Sequence, residues 1–400
     1  MIKNFSLDSA MYGVVVAIAL LTVISTALTG VAIALGVIFI LYEFFRTKKF
    51  PQFDTEILKV LGIYFLAQII IALTSIDPAV SFREVIGELH RFLPLIFALA
   101  FVKTENQLRG VLIAILISSL VNDFVGVYQY FVKEMPRAQG LEYSPTFFAS
   151  SMLIQIPTLI FMARENLTPK KLRPVVIGTI FLSLFCLGLS MTRGAWLAFV
   201  AIIFIFAILE KSRRLTTMKI FAALTASFIV VVLLSPQLQE RVETLTDRNF
   251  QSNTERILMW QSAINIFEDY PLHGIGQKMF EKMYNEKYIS PDAKERPDEF
   301  MSGHTHPHNN FLFVMSEGGL IGLSSFIFLY GYFFRRFFLQ YKRENFMKFS
   351  AGLTLFLILA ALHLEGLTDT NLNQVKLMRE VWVIAGALLA SEKFLGVKYK

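Results

Sequence analysis

The stretch His304-Thr305-His306-Pro307-His308-Asn309-Asn310 holds half of the chain's six histidines. Imidazole titrates near neutral pH, so a histidine here could act as a general base. Three alternating histidines in an extended segment could instead ligate a divalent metal. No acidic ligand adjoins them, however, and Pro307 restricts the backbone before it. A polar loop with no special role is the third reading. Arg193 sits in Met191-Thr192-Arg193-Gly194-Ala195-Trp196-Leu197, at the hinge between two apolar blocks. Arginine is costly in a membrane and marks a substrate path or a paired charge. It serves equally as an anchor that snorkels to the interface. Arg256, preceded by Glu255, falls near the start of a predicted helix, where positive charge opposes the helix dipole. A bound anion would relieve that conflict, and so would a surface salt bridge. Asp369, in Glu365-Gly366-Leu367-Thr368-Asp369-Thr370, could orient a histidine, bind a ligand hydroxyl or cap a turn.

Apolar residues make up 54% of the 400 and charged residues 17%. A soluble domain carries roughly a quarter charged residues. The apolar residues come in blocks, and a spanning helix needs about 20 of them. Approximate spans fall at Met11–Leu28, Val31–Phe45, Ile57–Ser75, Phe92–Val102, Val111–Val132 and Phe147–Ala163. Six more fall at Pro174–Met191, Ala195–Leu209, Ile220–Leu234, Phe311–Phe334, Phe349–Leu364 and Val381–Leu395. The fourth is short and could begin near Val85. The sequence therefore predicts an all-α polytopic membrane protein of about twelve transmembrane helices. Residues 1–234 would supply the first nine, residues 235–310 a cap loop, and residues 311–400 the last three.

The loops distinguish the two sides. Arg46, Lys48, Lys49, Lys103, Arg109, Lys170, Lys171, Arg173, Arg213, Arg214, Arg335, Arg336 and Arg343 all follow even-numbered spans, the pattern of cytoplasmic loops. Both termini are then cytoplasmic, and the polar candidates gather on the opposite, periplasmic side. The segment after Lys3 shows no clear cleavage motif, so the first apolar stretch reads as a retained span. A net charge of +7 would suggest nucleic acid in a soluble protein, but these basic residues set topology, and no nucleic-acid surface is expected.

The loop from Ser235 to Asn310 is too long and polar for a simple turn. Asn253 or Thr254 could cap a helix in which Ile257, Trp260, Ile264 and Phe267 share one face, ended by Pro271, Gly274 and Gly276. A small folded cap is expected, with Glu286–Gly303 as its mobile part. His273-Gly274-Ile275-Gly276 is not a dinucleotide loop, because no strand precedes it and Met279 replaces the last glycine. Cys186, the lone cysteine, and His363 lie in or beside apolar runs and read as packed; His90 reads as interfacial.

Ordered motifs in this chain resemble those of the O-antigen ligase and polymerase superfamily of bacterial envelope glycosyltransferases. Arg193-Gly194-Ala195-Trp196-Leu197 is similar to the family's Arg-x3-Leu element. Arg256, Trp260, Pro271, Gly274, Gly276 and Phe280 resemble its Arg-x3-Trp, Pro and Gly-x-Gly element. His308-Asn309, followed by Glu317, Gly319 and Gly322, is similar to its His-Asn signature. Arg137, Gly140, Pro145 and Ala149 resemble an upstream loop motif, although Thr146 stands where the family often has Asn. The dense resemblance runs from Leu189 to Leu323.

The resemblance implies transfer of a glycan from an undecaprenyl-diphosphate-linked donor to an acceptor hydroxyl, at the outer face of the bacterial inner membrane. His308 would be the base, and Arg193 and Arg256 would clamp the diphosphate, whose geometry suits the forked guanidinium. Arg137, His306, Asn309 and Asp369 would contact substrate. Transfer would invert the anomeric carbon and need neither metal nor other cofactor, because arginines stand in for the cation. A single large outer loop late in the chain most resembles a ligase that joins O-antigen to lipid A-core. A polymerase or a protein O-oligosaccharyltransferase of the same superfamily is the nearest alternative. A transporter is the reading from a different class, disfavoured because transporters bind near the bilayer midplane.

Overall fold

The computed structural model describes residues 6–164, 167–209, 239, 242–243, 251–293, 306–344 and 350–395. Among these residues the regular structure is all helical. In chain order the main helices are α1 (Leu7–Leu21), α2 (Thr26–Thr47), α3 (Thr55–Leu73), α4 (Pro78–Phe101), α5 (Glu105–Phe131) and α6 (Pro145–Arg164). They continue with α7 (Arg173–Leu189), α8 (Arg193–Leu209), α9 (Gln251–Asp269), α10 (Asn310–Arg343), α11 (Ala351–Glu365) and α12 (Val375–Ala390). Side chains of Ser25, Asp54, Asp77, Thr104 and Ser350 accept backbone N–H bonds at helix starts, satisfying donors that a helix leaves open.

Six helices are long and apolar enough to cross a membrane by length and composition: α2, α3, α5, α6, α7 with the turn before it, and α10. α1, α8 and α11 are shorter apolar helices. The predicted ninth span, Ile220–Leu234, lies outside the described residues. Along α2, Leu28, Val31, Leu35, Ile38, Leu41 and Phe45 are exposed, an apolar face too large for a surface meeting only water.

Two helices extend beyond their apolar runs. α4 starts at Pro78, capped by Asp77, well before the expected Phe92. Its first four turns carry Arg83, Glu84, Glu88, His90 and Arg91, which hide the helix from a hydropathy reading. α12 starts at Val375 rather than Val381, and its first turns bury Lys376, Arg379 and Glu380. Buried charges need partners. Arg379 donates to the Thr26 carbonyl at 2.9 Å and contacts His90 Nδ1 at 2.9 Å, so His90 is an inter-helix partner. Glu380 accepts from Ser151 at 3.1 Å and from Gln155 at 2.8 Å. α12 and α4 pack closely: a Cβ at Gly386 would lie 2.5 Å from the Leu95 carbonyl oxygen. Trp382 fills the core between Phe92 and Phe333, at centroid distances of 4.7 and 4.8 Å. Cys186 and His363 are buried or nearly so, as expected.

Beyond the bundle, α9 and the chain as far as Tyr288 form a second small core around Met259, Ala263, Ile266, Phe280 and Tyr284. The predicted helix is present and already includes Gln251, the first described residue of this stretch, so Asn253 and Thr254 are inside it rather than at its cap. Its buried face is also different. Met259, Ala263 and Ile266 are buried, whereas Ile257 is 49% exposed. The helix has apolar residues on two faces, and periodicity alone does not choose between them. Of the expected mobile part, Glu286 to Tyr288 complete a π-helical turn that starts at Tyr284, and residues 294–303 lie outside the described set.

α10 is broken at Gly319, where φ is 59° and ψ is −153°. The loop after α9 takes up the freed backbone groups. Leu320 N donates to Pro271 O at 2.8 Å, Ile321 N to Leu272 O at 3.0 Å, and Gly276 N to Glu317 O at 2.9 Å. Glu317 adds a clamp, its carboxylate accepting from Lys278 N and Phe280 N, both at 3.0 Å. Gly274 has φ +66°, and a Cβ there would meet the Glu317 backbone at 2.4 Å. This is why glycine is needed on both sides of the join. The seam fixes the first turns of α10 against the cap.

Candidate active site

Five segments converge where the cap meets the bundle. Arg193 is the first residue of α8, and a Cβ on Gly194 would lie 2.1 Å from Thr368 Oγ1, so α8 begins directly against the loop after α11. Arg193 Nη2 donates to Asn253 Oδ1 at 2.8 Å, linking α8 to α9. Arg256 is in the second turn of α9. Arg137, between α5 and α6, donates from Nε to Ser190 O at 2.8 Å and from Nη2 to Thr192 Oγ1 at 3.0 Å. The three arginines line one cleft of about 60 Å3, together with Glu365 and Asp369. With three guanidiniums and two carboxyl groups in its lining, the cleft can offer an anion charge-assisted bonds. Backbone N–H groups at the start of α8 favour the same anion.

The histidines form the cleft's neighbour. His308 Nδ1 lies 3.0 Å from Asp369 Oδ1. A carboxylate accepts, so the His308 nitrogen facing Asp369, Nδ1, is the donor, and in the neutral ring Nε2 is the acceptor. Asp369 is almost wholly buried and also accepts from Thr370 N at 2.7 Å. Burial raises the Asp369 carboxyl, but the His308 hydrogen bond and the nearby His306 and Arg256 outweigh it. The acid is held below its ordinary range and stays ionised. His308 adopts φ +48°, a left-handed backbone conformation uncommon outside glycine. Met191 (φ 50°) and Lys278 (φ 66°), both bordering this region, do the same. Such residues cluster where surrounding structure holds a functional geometry.

His306 packs edge-to-face on His308 at a centroid distance of 4.7 Å. Burial and then the charge of His308 lower its pKa to about 4, so it is neutral at pH 7. His306, His308 and Asp369 each present a ligand atom, all within 4.8 Å of one another, a spacing that a divalent cation could bridge. His304 lies outside the described residues. Asn309 caps α10 through Oδ1, accepting from Phe311 N at 2.9 Å and Leu312 N at 3.0 Å, while Nδ2 donates to Leu367 O at 2.9 Å. Its side chain is thereby occupied at both ends.

Sequence reasoning missed Asn310, which exchanges hydrogen bonds with Asn371 at 2.8 and 3.1 Å and ties the histidine loop to the Asp369 loop. The available signal was a second Asn after the cap and the polar run Thr368–Asn371 between two apolar blocks. It also missed a chamber of about 440 Å3 behind His306, lined by Tyr64, Glu84, Glu88, Arg91, Lys278 and Gln374, among others.

Comparison with known proteins meets the site at this point. Residues 178–327, which contain Arg193, Arg256 and His308, match the O-antigen ligase family model. The resemblance to the O-antigen ligase family holds. The chain is also 26% identical over 262 residues to the O-antigen ligase of Salmonella typhimurium. That alignment takes in 62% of this chain and 60% of the Salmonella protein, so the chain spans about three-fifths of the length of that relative. The matched stretch holds all three of these residues, and six of the described helices are long and apolar enough to cross a membrane.

Proposed function

We propose that the protein transfers a glycan from an undecaprenyl-diphosphate carrier to an acceptor hydroxyl at the periplasmic face of the inner membrane, with O-antigen ligation to lipid A-core as the best-supported case. The observation that carries this reading is the His308–Asp369 pair at 3.0 Å beside a cleft of three arginines. His308 Nε2 takes the acceptor hydroxyl proton as the acceptor oxygen bonds to the anomeric carbon. The bond from that carbon to the diphosphate oxygen breaks, and its electron pair leaves on the diphosphate. Arg193 and Arg256, with Arg137 bonded alongside, hold the phosphates and stabilise the charge that develops there. Asp369 is a positioning residue that fixes the His308 tautomer. Asn309 positions the loop by capping α10. Attack from the face opposite the diphosphate inverts the anomeric carbon.

A second reading is supported by the spacing of His306, His308 and Asp369: a divalent cation bound there would polarise the acceptor hydroxyl. One experiment tests both. Purified protein in detergent is given the carrier-linked glycan donor and lipid A-core, with and without chelator. The proposal expects glycan on lipid A-core regardless of chelator, and its loss in His308→Ala. Full activity in His308→Ala would end the base assignment, and loss of activity on chelation would favour the cation. Longer carrier-linked chains formed without lipid A-core would identify a polymerase.

A further inference from the structure

The chamber behind His306 is too polar for packing. Its lining includes Tyr64 on α3, Glu84, Glu88 and Arg91 on α4, and Gln374 before α12. Tyr64 is about 14 Å from the end of α3 at Leu73, by the helical rise of 1.5 Å per residue. Ionisable groups at such depth are expensive and mark function more often than structure. They are also held in place. Tyr64 Oη donates to Glu88 Oε1 at 2.6 Å, Arg91 pairs with Glu84, and Arg91 Nη1 reaches the Leu372 carbonyl at 3.4 Å. The volume, about 440 Å3, is within the usual range for small-ligand pockets.

We propose that this chamber binds the terminal sugar of the acceptor, and that it selects a neutral or amino sugar over a phosphorylated one. The inference rests on the glycan-transfer reading and assigns the acceptor's side of it. Three observations support it. His306 lines the chamber while its ring packs against His308, whose partner Asp369 lines the arginine cleft. His308 thus touches one residue from each lining, His306 of the chamber and Asp369 of the cleft, the placement that an attack opposite to the leaving group requires. Secondly, the chamber's carboxylates are oriented acceptors, suited to sugar hydroxyl or ammonium donors and repelling phosphate. Of its two cations, Arg91 is paired with Glu84, and Lys278 is outnumbered by Glu84, Glu88 and Glu317 in the same lining. Thirdly, Phe313 and Phe326 contribute apolar surface to the same walls, as a sugar's C–H faces need.

The test is steady-state transfer by the whole protein, varying donor and acceptor separately. Acceptors end either in a neutral sugar or in the same sugar bearing a phosphate. Glu88→Gln keeps the shape and an oxygen for Tyr64 but removes the charge. It should raise the KM for the neutral acceptor by about tenfold or more, the size of a lost charged hydrogen bond. Donor KM should remain within about twofold, and the preference for the neutral acceptor should narrow. Tyr64→Phe, which removes only the hydroxyl that holds Glu88, should shift the same constant by a smaller factor and serves if Glu88→Gln does not accumulate. Unchanged acceptor KM in both variants, or a change in donor KM instead, overturns the assignment while leaving the transfer reading intact. If the wild-type protein transfers nothing to any acceptor, both fall.

Discussion

The arginine cleft and the carboxylate chamber are built on opposite chemical plans. The cleft is small, about 60 Å3, and its three guanidiniums come from short loops and helix starts where the cap meets the bundle. The chamber is larger, about 440 Å3; α4 gives it Glu84, Glu88 and Arg91, held by Tyr64 and by the Leu372 carbonyl, and Lys278 and Glu317 complete its charged lining. The cleft is set up to hold a compact, multiply charged anion. The chamber is set up to read a shape decorated with hydroxyls. Between them stand His306 and His308, one neutral and buried, the other fixed by Asp369. On the proposed reading, the difference divides one active site into a leaving-group side rich in arginine and a nucleophile side rich in carboxylates, with His308 as the base between them.

The largest effect should come from the boundary. His308→Ala removes general-base assistance and should lower kcat by about 10²–10⁴, with folding unchanged by circular dichroism. Next, on the cleft side, Arg256→Ala should cost about a hundredfold in kcat/KM for the donor and leave acceptor KM alone. Arg193→Lys, which keeps charge but loses the fork, should cost less than Arg256→Ala yet be clearly impaired at low donor. An Arg193→Lys variant with full activity at low donor would argue against forked phosphate contact.

Two further predictions concern the frame that keeps the compartments apart. Gly274→Ala places a Cβ 2.4 Å from the Glu317 backbone at a positive φ, and should destabilise the seam by about 2 kcal/mol or more, read as a lower apparent Tm. His306 has a pKa lowered to about 4, against about 6.5 unfolded. The unfolded chain therefore binds the extra proton first, and stability contributed by neutral His306 is complete above pH 6.5 and lost as pH falls toward 4. The loss is about 3 kcal/mol. His306→Gln should flatten the fall of apparent Tm over that window, and an unchanged slope would show that His306 is not what titrates.

Much of the cleft was legible in the sequence, because its residues stand out from their surroundings. Arg193 interrupts two apolar blocks, His308 belongs to a dense histidine run, and Asp369 follows a span. The sequence alone leaves Asp369 three roles, and only the folded chain brings it to 3.0 Å from His308. The chamber was not legible, for a physical reason. Glu84, Glu88 and Arg91 broke the apolar run that would have revealed α4, so the same charges that line the chamber disguised the helix that carries them. Local pattern fails where function overrides it. The α9 face was misjudged for a different reason: Ile257 and Met259 are both apolar, and only packing chooses which is buried.

The most direct test of the two-compartment account is to measure donor and acceptor KM for Arg256→Ala and Glu88→Gln in one transfer assay. The account predicts orthogonal effects, with Arg256→Ala acting through the donor alone and Glu88→Gln through the acceptor alone. If both variants moved the same constant, the cleft and the chamber would be one subsite, and the placement of His308 on a boundary would be wrong.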